Sequence, residues 1–214
     1  MTALVKHLGL ADYAATYEAM RTFTKDRDSS TPDEIWILEH PPVFTLGLAG
    51  NAGNLHSPSN QIPLVQVDRG GEITYHGPGQ IVVYLLLDLK RLGIFVKELV
   101  SRIEQSLIDT LGDFGIQAER KPGAPGIYVS QQVGVSPEWF GAKVAALGLK
   151  VSKSCSYHGL ALNVATDLEA FGRIHPCGYE GLRIVDMQTL GIKDKIDSIS
   201  QKLLSHLQKQ LIPS

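Results

Sequence analysis

The sequence predicts a mixed α/β (α+β) domain, in which helices flank a mixed central β-sheet. Helical and strand-like segments are interspersed along the 214 residues without strict strand–helix alternation, and this order is typical of a mixed sheet. Apolar residues make up 43% of the chain, which is enough for a sizeable core. No segment has the composition of an interdomain linker, so we expect one domain over residues 1–214.

Four elements are predicted in the first half of the chain. Apolar residues at helical spacing predict a helix from Asp12 to about Lys25. The alternating segment from Glu34 to Glu39 indicates a strand that ends before two prolines. A short strand is expected from Leu64 to Val67. The run from Ile81 to Leu87 is continuously apolar, which predicts a central strand covered on both faces.

The second half contains the clearest helix and three further strands. From Val96 to Phe114 the apolar residues fall on one helical stripe, and Gly115 is expected to end that helix. A last helix is predicted from about Asp194 to Leu211. The strands predicted between these helices are Ile127 to Val129, Lys143 to Val151 and Ser156 to Val164.

Composition excludes several classes of function. A net charge of −2 argues against bulk electrostatic binding of nucleic acid. The longest apolar run is far shorter than the roughly 18 residues of a membrane span, and the N-terminus lacks the pattern of a secretory signal. Two cysteines cannot form a disulfide framework, so a cytoplasmic location is expected. Without Cys-x-x-Cys or His-Glu-x-x-His, no metal site is predicted.

A glycine-rich segment from Arg69 to Gln80 is the first candidate for chemistry. It contains four glycines and one proline together with polar side chains such as Thr74 and His76. Such a segment brings backbone N–H groups close to a ligand. It is equally compatible with a tight hairpin whose glycines only serve turns. No Gly-Lys pair occurs in the chain, so a phosphate-binding loop is excluded.

Cys177 lies between a proline and a glycine, which predicts an accessible turn. A free thiol has a pKa of about 8.5, so a nucleophilic cysteine needs a nearby positive charge that lowers it. The alternative is a small buried hydrophobic residue, the more frequent environment of a free cysteine. Cys155 is expected to be structural, since His158 follows it by three positions and would face the other side of a strand.

Lys143 is the candidate cation, because it lies in a strand-like stretch of small apolar residues. A desolvated lysine there would be able to pair with a thiolate. The alternative is a lysine on an exposed strand edge, which is the commoner case. Spacing alone does not place Lys143 beside Cys177.

Together these segments resemble the lipoyl(octanoyl) transferases of the biotin/lipoate protein ligase superfamily. The resemblance covers roughly Leu8 to Met187. The motifs that carry it are Arg69-Gly-Gly-x-x-Thr-Tyr-His-Gly-Pro-Gly-Gln80, Lys143-Val-Ala-Ala-Leu-Gly148, Cys155-Ser-Tyr-His-Gly-Leu-Ala-Leu-Asn163 and Pro176-Cys-Gly-Tyr179. The glycine-rich motif is shared with the ligases, whereas the lysine followed by Pro-Cys-Gly is specific to the transferases.

The resemblance implies a single octanoyltransferase catalytic domain with the biotin/lipoate ligase fold. It implies transfer of an octanoyl group from octanoyl-acyl carrier protein to lysines of lipoyl domains, in 2-oxoacid dehydrogenase E2 subunits and the glycine cleavage H protein, without a cofactor. Cys177 would carry the acyl group as a thioester, and Lys143 would lower the pKa of that thiol and then act as a base. The implied substrate-binding residues are Arg69, Gly70, Gly71, Glu72, Ile73, Thr74, Tyr75, His76, Ala146, Leu147, Gly148, Gly159, Leu160 and Ala161.

Two departures from the family pattern stand out. His175 precedes Pro176 where the family usually has asparagine, and the stretch from Gln131 to Gly141 is longer than usual. Neither removes a residue that the chemistry needs. Two alternatives remain open: an ATP-dependent lipoate or biotin ligase, which needs no cysteine, and a non-catalytic protein of the same fold that binds lipoyl domains.

Overall fold

A computed structural model describes residues 3–57, 61–175 and 181–211. The strands of these residues are β1 (Leu4–Leu10), β2 (Glu34–Glu39), β3 (Val43–Leu46), β4 (Leu64–Gln66), β5 (Ile73–His76), β6 (Gln80–Leu86), β7 (Ala118–Lys121), β8 (Ala124–Val129), β9 (Lys143–Ser152) and β10 (Cys155–Asn163). The α-helices are α1 (Tyr13–Asp26), α2 (Leu89–Leu92), α3 (Val96–Asp113) and α4 (Ile196–Leu211).

The strands form one large and one small sheet. The large sheet has the order β1-β2-β6-β10-β9-β8-β7, and the small sheet has the order β4-β3-β5. Strand β1 is parallel to β2 and β4 is parallel to β3, whereas the other pairs are antiparallel. The predicted fold class, a mixed sheet flanked by helices, is therefore confirmed.

The central strand β6 is buried along its whole length, because helices cover both faces of the sheet. On one face, the apolar stripe of the helices includes Leu99 and Leu107 of α3 and Leu203 of α4. On the other face, Met20 of α1 joins a smaller cluster. Each fully buried side chain of this size contributes about 1.5–3 kcal/mol relative to exposure.

The hairpin that joins β9 to β10 sets the register around the later site. Its two turn residues, Lys153 and Ser154, have φ values of 50° and 64°. Two consecutive left-handed residues make a turn whose twist matches that of the flanking strands. The resulting register places Gly159 opposite Gly148 and Ala161 opposite Ala146.

The predicted helices and strands are present, with boundaries that differ by one or two residues for most of them. Four strands were not predicted, namely β1, β3, β5 and β7. The glycine-rich segment from Arg69 to Gln80 is not irregular throughout, because Ile73–His76 pair with β3 in the small sheet. Among the described residues, no helix has the length and apolarity that crossing a bilayer requires.

Candidate functional site

A cavity of about 400 Å³ lies between the glycine-rich segment and strands β9 and β10. This volume is in the range of small-molecule binding sites. Small residues create the space, since the lining includes Gly70, Gly148, Gly159, Ala146 and Ala161. None of these residues has a side-chain atom beyond Cβ, which leaves the space open.

The glycines also allow the glycine-rich segment to lie directly on the sheet. The Gly70 N–H donates to the Leu149 carbonyl at 3.0 Å. A Cβ atom on Gly148 would lie 2.8 Å from the Gly70 oxygen and 3.1 Å from Cδ of Arg69. Close backbone approach, rather than turn geometry alone, therefore requires glycine here.

Arg69 is fixed over the cavity by hydrogen bonds to the small sheet. Its side chain is nearly buried, and its Nη2 donates to both the carbonyl and the Oγ1 of Thr45 at 2.8 Å. Its Nη1 donates to the Gly70 carbonyl at 3.0 Å. The guanidinium thus holds the glycine-rich segment in place and also contributes to the cavity lining.

His76 is a neutral hydrogen-bonding residue. The Gln80 amide nitrogen donates to Tyr75 and Asn163, so the Gln80 Oε1 accepts from Nδ1 of His76 at 2.7 Å. Burial, reinforced by nearby His40, lowers the pKa of His76 to about 3. The imidazole therefore carries no charge at neutral pH, and Nε2 faces the Thr45 hydroxyl at 3.5 Å.

Tyr13 and Tyr84 line the cavity beside His76, although the sequence did not single them out. His40 donates from Nδ1 to the Ala11 carbonyl at 2.7 Å, so its Nε2 accepts from the Tyr84 hydroxyl, also at 2.7 Å. Burial raises the pKa of Tyr13 to about 12. The sequence could have indicated Tyr84, because this tyrosine lies within the apolar run of β6 and a buried phenol needs a polar partner.

Lys143 is 4% exposed and lies on β9, between β8 and β10. The alternative of an exposed edge lysine is therefore wrong. Its Nζ lies 5.5 Å from the centre of the Tyr128 ring. A Cβ atom on Gly126 would lie 2.3 Å from Cε of Lys143, so a glycine at this position gives the buried side chain its room.

Cys177 and its neighbours Pro176, Gly178 and Tyr179 lie outside the described residues, but the chain on either side is placed. The Lys143 N–H donates to the Arg183 carbonyl at 2.8 Å, and the Val185 N–H donates to the Lys143 carbonyl at 3.0 Å. The His175 N–H donates to the Asn54 carbonyl at 2.9 Å. Lys143 is therefore hydrogen-bonded to the segment that follows Cys177 in the chain.

Three further side chains, those of Cys155, His175 and Trp139, do not line the cavity. Cys155 is buried at the β9–β10 hairpin, where burial raises the pKa of its thiol. The ring of His175 packs against His56 with 4.6 Å between ring centres. Trp139, in the long segment before β9, packs partly against the main core.

Almost all of the substrate-binding residues that the resemblance implies line the cavity. Tyr75 is the exception, because its ring is buried against Phe44 and Phe171, in a separate cluster. Side chains alternate along β5, so Thr74 and His76 face the cavity, whereas Ile73 and Tyr75 belong to the separate cluster. Ile73 nevertheless contributes to the lining at the start of the strand. The lining members of the set are Arg69, Gly70, Gly71, Glu72, Ile73, Thr74, His76, Ala146, Leu147, Gly148, Gly159, Leu160 and Ala161, and Lys143 lines it too.

The binding and catalytic roles of these residues stay predictions. The cavity is also lined by residues outside the implied substrate-binding set, including Val96 and Val100 of α3 and His158 of β10. Within the described ranges, no group of three His, Cys, Asp or Glu side chains has an arrangement that would hold a metal ion.

Comparison with known proteins places the chain in a family. The model of the lipoyl protein ligase A/B catalytic domain matches residues 12–208. The octanoyltransferase of Polynucleobacter asymbioticus is 86% identical over 214 residues, covering 100% of both chains. The octanoyltransferase of Azoarcus sp. is 54% identical and covers 98% of this chain and 88% of its own.

Solved structures agree on the fold. A bipartite lipoate protein ligase from Thermoplasma acidophilum is 15% identical, with a TM-score of 0.73 over 99% of this chain and 84% of its own. A lipoate-protein ligase A bound with ATP is 14% identical, with a TM-score of 0.73. The match covers 99% of this chain and 86% of the ligase chain. With the family model spanning most of the sequence and full-length relatives this similar, the chain belongs to the lipoyl protein ligase A/B catalytic-domain family and is an acyltransferase of its octanoyltransferase group.

Proposed function

We propose that this chain, as a single catalytic domain over residues 1–214, transfers an octanoyl group from octanoyl-acyl carrier protein to a specific lysine of lipoyl domains. The acceptors would be 2-oxoacid dehydrogenase E2 subunits and the glycine cleavage H protein, and the reaction would take place in the cytoplasm. Octanoyltransferases of at least 85% identity over the whole chain support this activity.

In the proposed mechanism, the Cys177 thiolate attacks the carbonyl carbon of the donor thioester, and the carrier thiolate leaves with the proton of the Lys143 ammonium, so that Lys143 becomes neutral. The ε-amine of the acceptor lysine then attacks the enzyme thioester. This amine loses a proton to Lys143, and the carbon–sulfur bond to Cys177 breaks as the amide forms. A thioester is already activated, so neither step requires a nucleotide, and backbone N–H groups at the cavity would stabilise each oxyanion.

The observation that carries the proposal is the position of Lys143. Its side chain is buried at the cavity, and its main chain pairs with residues 183–185, which begin six positions after Cys177. A cation in this position supports the predicted pairing with the thiolate, with about 3–4 Å between Nζ and Sγ.

A matched pair of lysines tests this role. Lys121 contacts the same Tyr128 ring, with its Nζ 4.4 Å from the ring centre, and donates to the Gly141 carbonyl. We expect Lys143→Met to lower kcat/KM for octanoyl transfer by roughly 10²- to 10⁴-fold. Lys121→Met should leave it within about threefold, because both substitutions remove one cation from Tyr128 but only Lys143 would act on the reaction. Equal effects of the two substitutions would contradict the role of Lys143.

Intact-protein mass spectrometry tests the intermediate. After mixing with octanoyl-acyl carrier protein, the wild-type chain should gain the mass of one octanoyl group, and Cys177→Ser should not. An adduct that persists in Cys177→Ser would exclude the thioester. Transfer from free octanoate and ATP without carrier protein would support the ligase alternative, and binding of lipoyl domains without turnover would support the non-catalytic one.

A further inference from the structure

Asp68, the residue before Arg69, accepts hydrogen bonds from three aromatic side chains. The Tyr157 hydroxyl donates to Oδ2 at 2.5 Å, and Nε2 of His158 donates to Oδ1 at 3.0 Å. Tyr17 of α1 provides the third bond. Burial by itself raises the pKa of Asp68, but these hydrogen bonds outweigh it and leave the pKa below its ordinary value. An ionised carboxylate therefore ties the glycine-rich segment to both α1 and β10.

His158 is held in an unusual backbone conformation. Its φ is 60°, in the left-handed region that a non-glycine residue rarely adopts within a strand. It is 1% exposed, lines the cavity and stacks against Tyr17 and Tyr157. Burial lowers its pKa to about 4, so a neutral imidazole donates from Nε2 to Asp68. A backbone strained at one residue of a binding cavity indicates a functional constraint.

Strand register places His158 at the end of the cavity remote from Lys143. Ala161 pairs with Ala146, and His158 pairs with Leu149. Leu149 is six residues from Lys143 on β9, which corresponds to roughly 20 Å of strand at about 3.3 Å per residue. The Lys143 side chain covers the first part of this interval, because its Cε lies beside Gly126 at the level of Ala145. An acyl chain that begins near its Nζ and extends along the strands would pass Gly148 before it meets His158.

We propose that Asp68 and His158 form the end wall of the acyl cavity and thereby set the longest acyl chain that the enzyme accepts. This inference rests on the proposed octanoyl transfer. His158 supplies the surface that the terminal methyl group meets, and Asp68 is a positioning residue that acts through it. A longer chain would have to displace the imidazole, which would leave the carboxylate without one of its donors in a buried place.

The test measures acyl-chain selectivity with octanoyl, decanoyl and dodecanoyl thioesters of acyl carrier protein. We expect His158→Ala to raise the ratio of kcat/KM for dodecanoyl over octanoyl by at least about tenfold, since each additional buried methylene is worth roughly a factor of four. Asp68→Asn, which retains the shape but weakens the bond to His158, should raise the ratio by a smaller factor.

A second His–Asp pair in the chain provides the control. Nε2 of His206 lies 3.1 Å from Oδ2 of Asp113 on the α3–α4 face, and neither residue lines the cavity. His206→Ala should leave the selectivity ratio unchanged.

An unchanged ratio in both cavity variants, with normal octanoyl transfer by the wild-type chain, would overturn the end wall and leave the proposed function intact. Variants that lower the melting temperature without changing the selectivity ratio would overturn the end wall in the same way. If His158→Ala does not fold, His158→Gln and Asp68→Asn decide the question by the same ratio. A wild-type chain that transfers no octanoyl group would overturn both proposals.

Discussion

The end of the cavity and the outer face of α3 and α4 each contain a His–Asp pair with an adjacent glycine. In the cavity the pair is Asp68–His158, and Gly159 follows the histidine. On the helical face the pair is Asp113–His206, and Gly112 precedes the aspartate. The two contacts are almost equally long, at 3.0 Å and 3.1 Å.

Their surroundings give the two pairs different properties. The His158 side chain is 2% exposed, whereas that of His206 is 21% exposed. Burial lowers the pKa of His158 to about 4. On the helical face, the hydrogen bond from His206 lowers the pKa of Asp113 by more than burial raises it. The same pair of side chains therefore serves as a rigid wall in one region and as a solvated surface contact in the other.

The largest expected difference between the two regions is in how much stability is lost when the glycine beside each pair is replaced. The loss should be greater at Gly159. A Cβ atom there would lie 2.0 Å from the Val83 carbonyl oxygen, which is backbone of the neighbouring strand and has no flexible end to move away. We expect Gly159→Ala to lower the free energy of unfolding by about 3 kcal/mol, at the upper end of the cost of overpacking. Urea denaturation measures this change.

The matched substitution for that experiment is Gly172→Ala. Its Cβ atom would meet no heavy atom within 4 Å, and its φ is not positive, so the free energy of unfolding should change by less than about 0.5 kcal/mol. A similarly small effect of Gly159→Ala would mean that β10 and β6 are not in such close contact at this position.

Acidification should destabilise the cavity region more than the helical face. The pKa values of His158 and His76 are lowered to about 4 and about 3 in the folded chain, whereas an unfolded histidine has a pKa of about 6.5. Between these values the unfolded chain binds more protons, so stability is complete above about pH 6.5 and is lost as the pH falls toward 4. Each histidine should contribute up to about 1.4 kcal/mol per pH unit.

Urea denaturation at pH 7, 6 and 5 measures this slope. His158→Gln removes one of these buried groups and should flatten the dependence. A free energy of unfolding that stays constant from pH 7 to pH 5 would show that these imidazoles are not held neutral in the folded chain.

The sequence predicted the elements whose burial depends on their own residues and missed elements that depend on distant partners. Helix α3 and the central strand β6 follow from local apolar patterns, because their whole burial is encoded in the spacing of their own residues. Strands β3 and β5 were missed, since each has only four residues and is stabilised by pairing with the other across an intervening segment. Such non-local pairing leaves little local signal.

For the site, the sequence supplied residue types and the fold supplied their arrangement. Lys143 was singled out from its apolar neighbours, and its burial follows from β8 and β10 on either side. Tyr75 was included because it lies within the motif, although strand alternation turns it away from the cavity. The sequence did not indicate Asp68, because the three side chains that donate hydrogen bonds to it come from α1 and β10, 51 to 90 positions away in the chain.

A small effect of opposite sign is expected at Gly112, the glycine beside the surface pair. Gly112 lies in the last turn of α3, is exposed, and would place a Cβ atom in open space. Alanine restricts the unfolded chain and favours the helix, so Gly112→Ala should raise the free energy of unfolding by roughly 0.5–1 kcal/mol. A chemical denaturation curve shifted to higher urea with an unchanged slope would confirm this expectation. Destabilisation instead would indicate that the end of α3 needs the flexibility of glycine to bring Asp113 to His206, and the helical face would then be as constrained as the cavity.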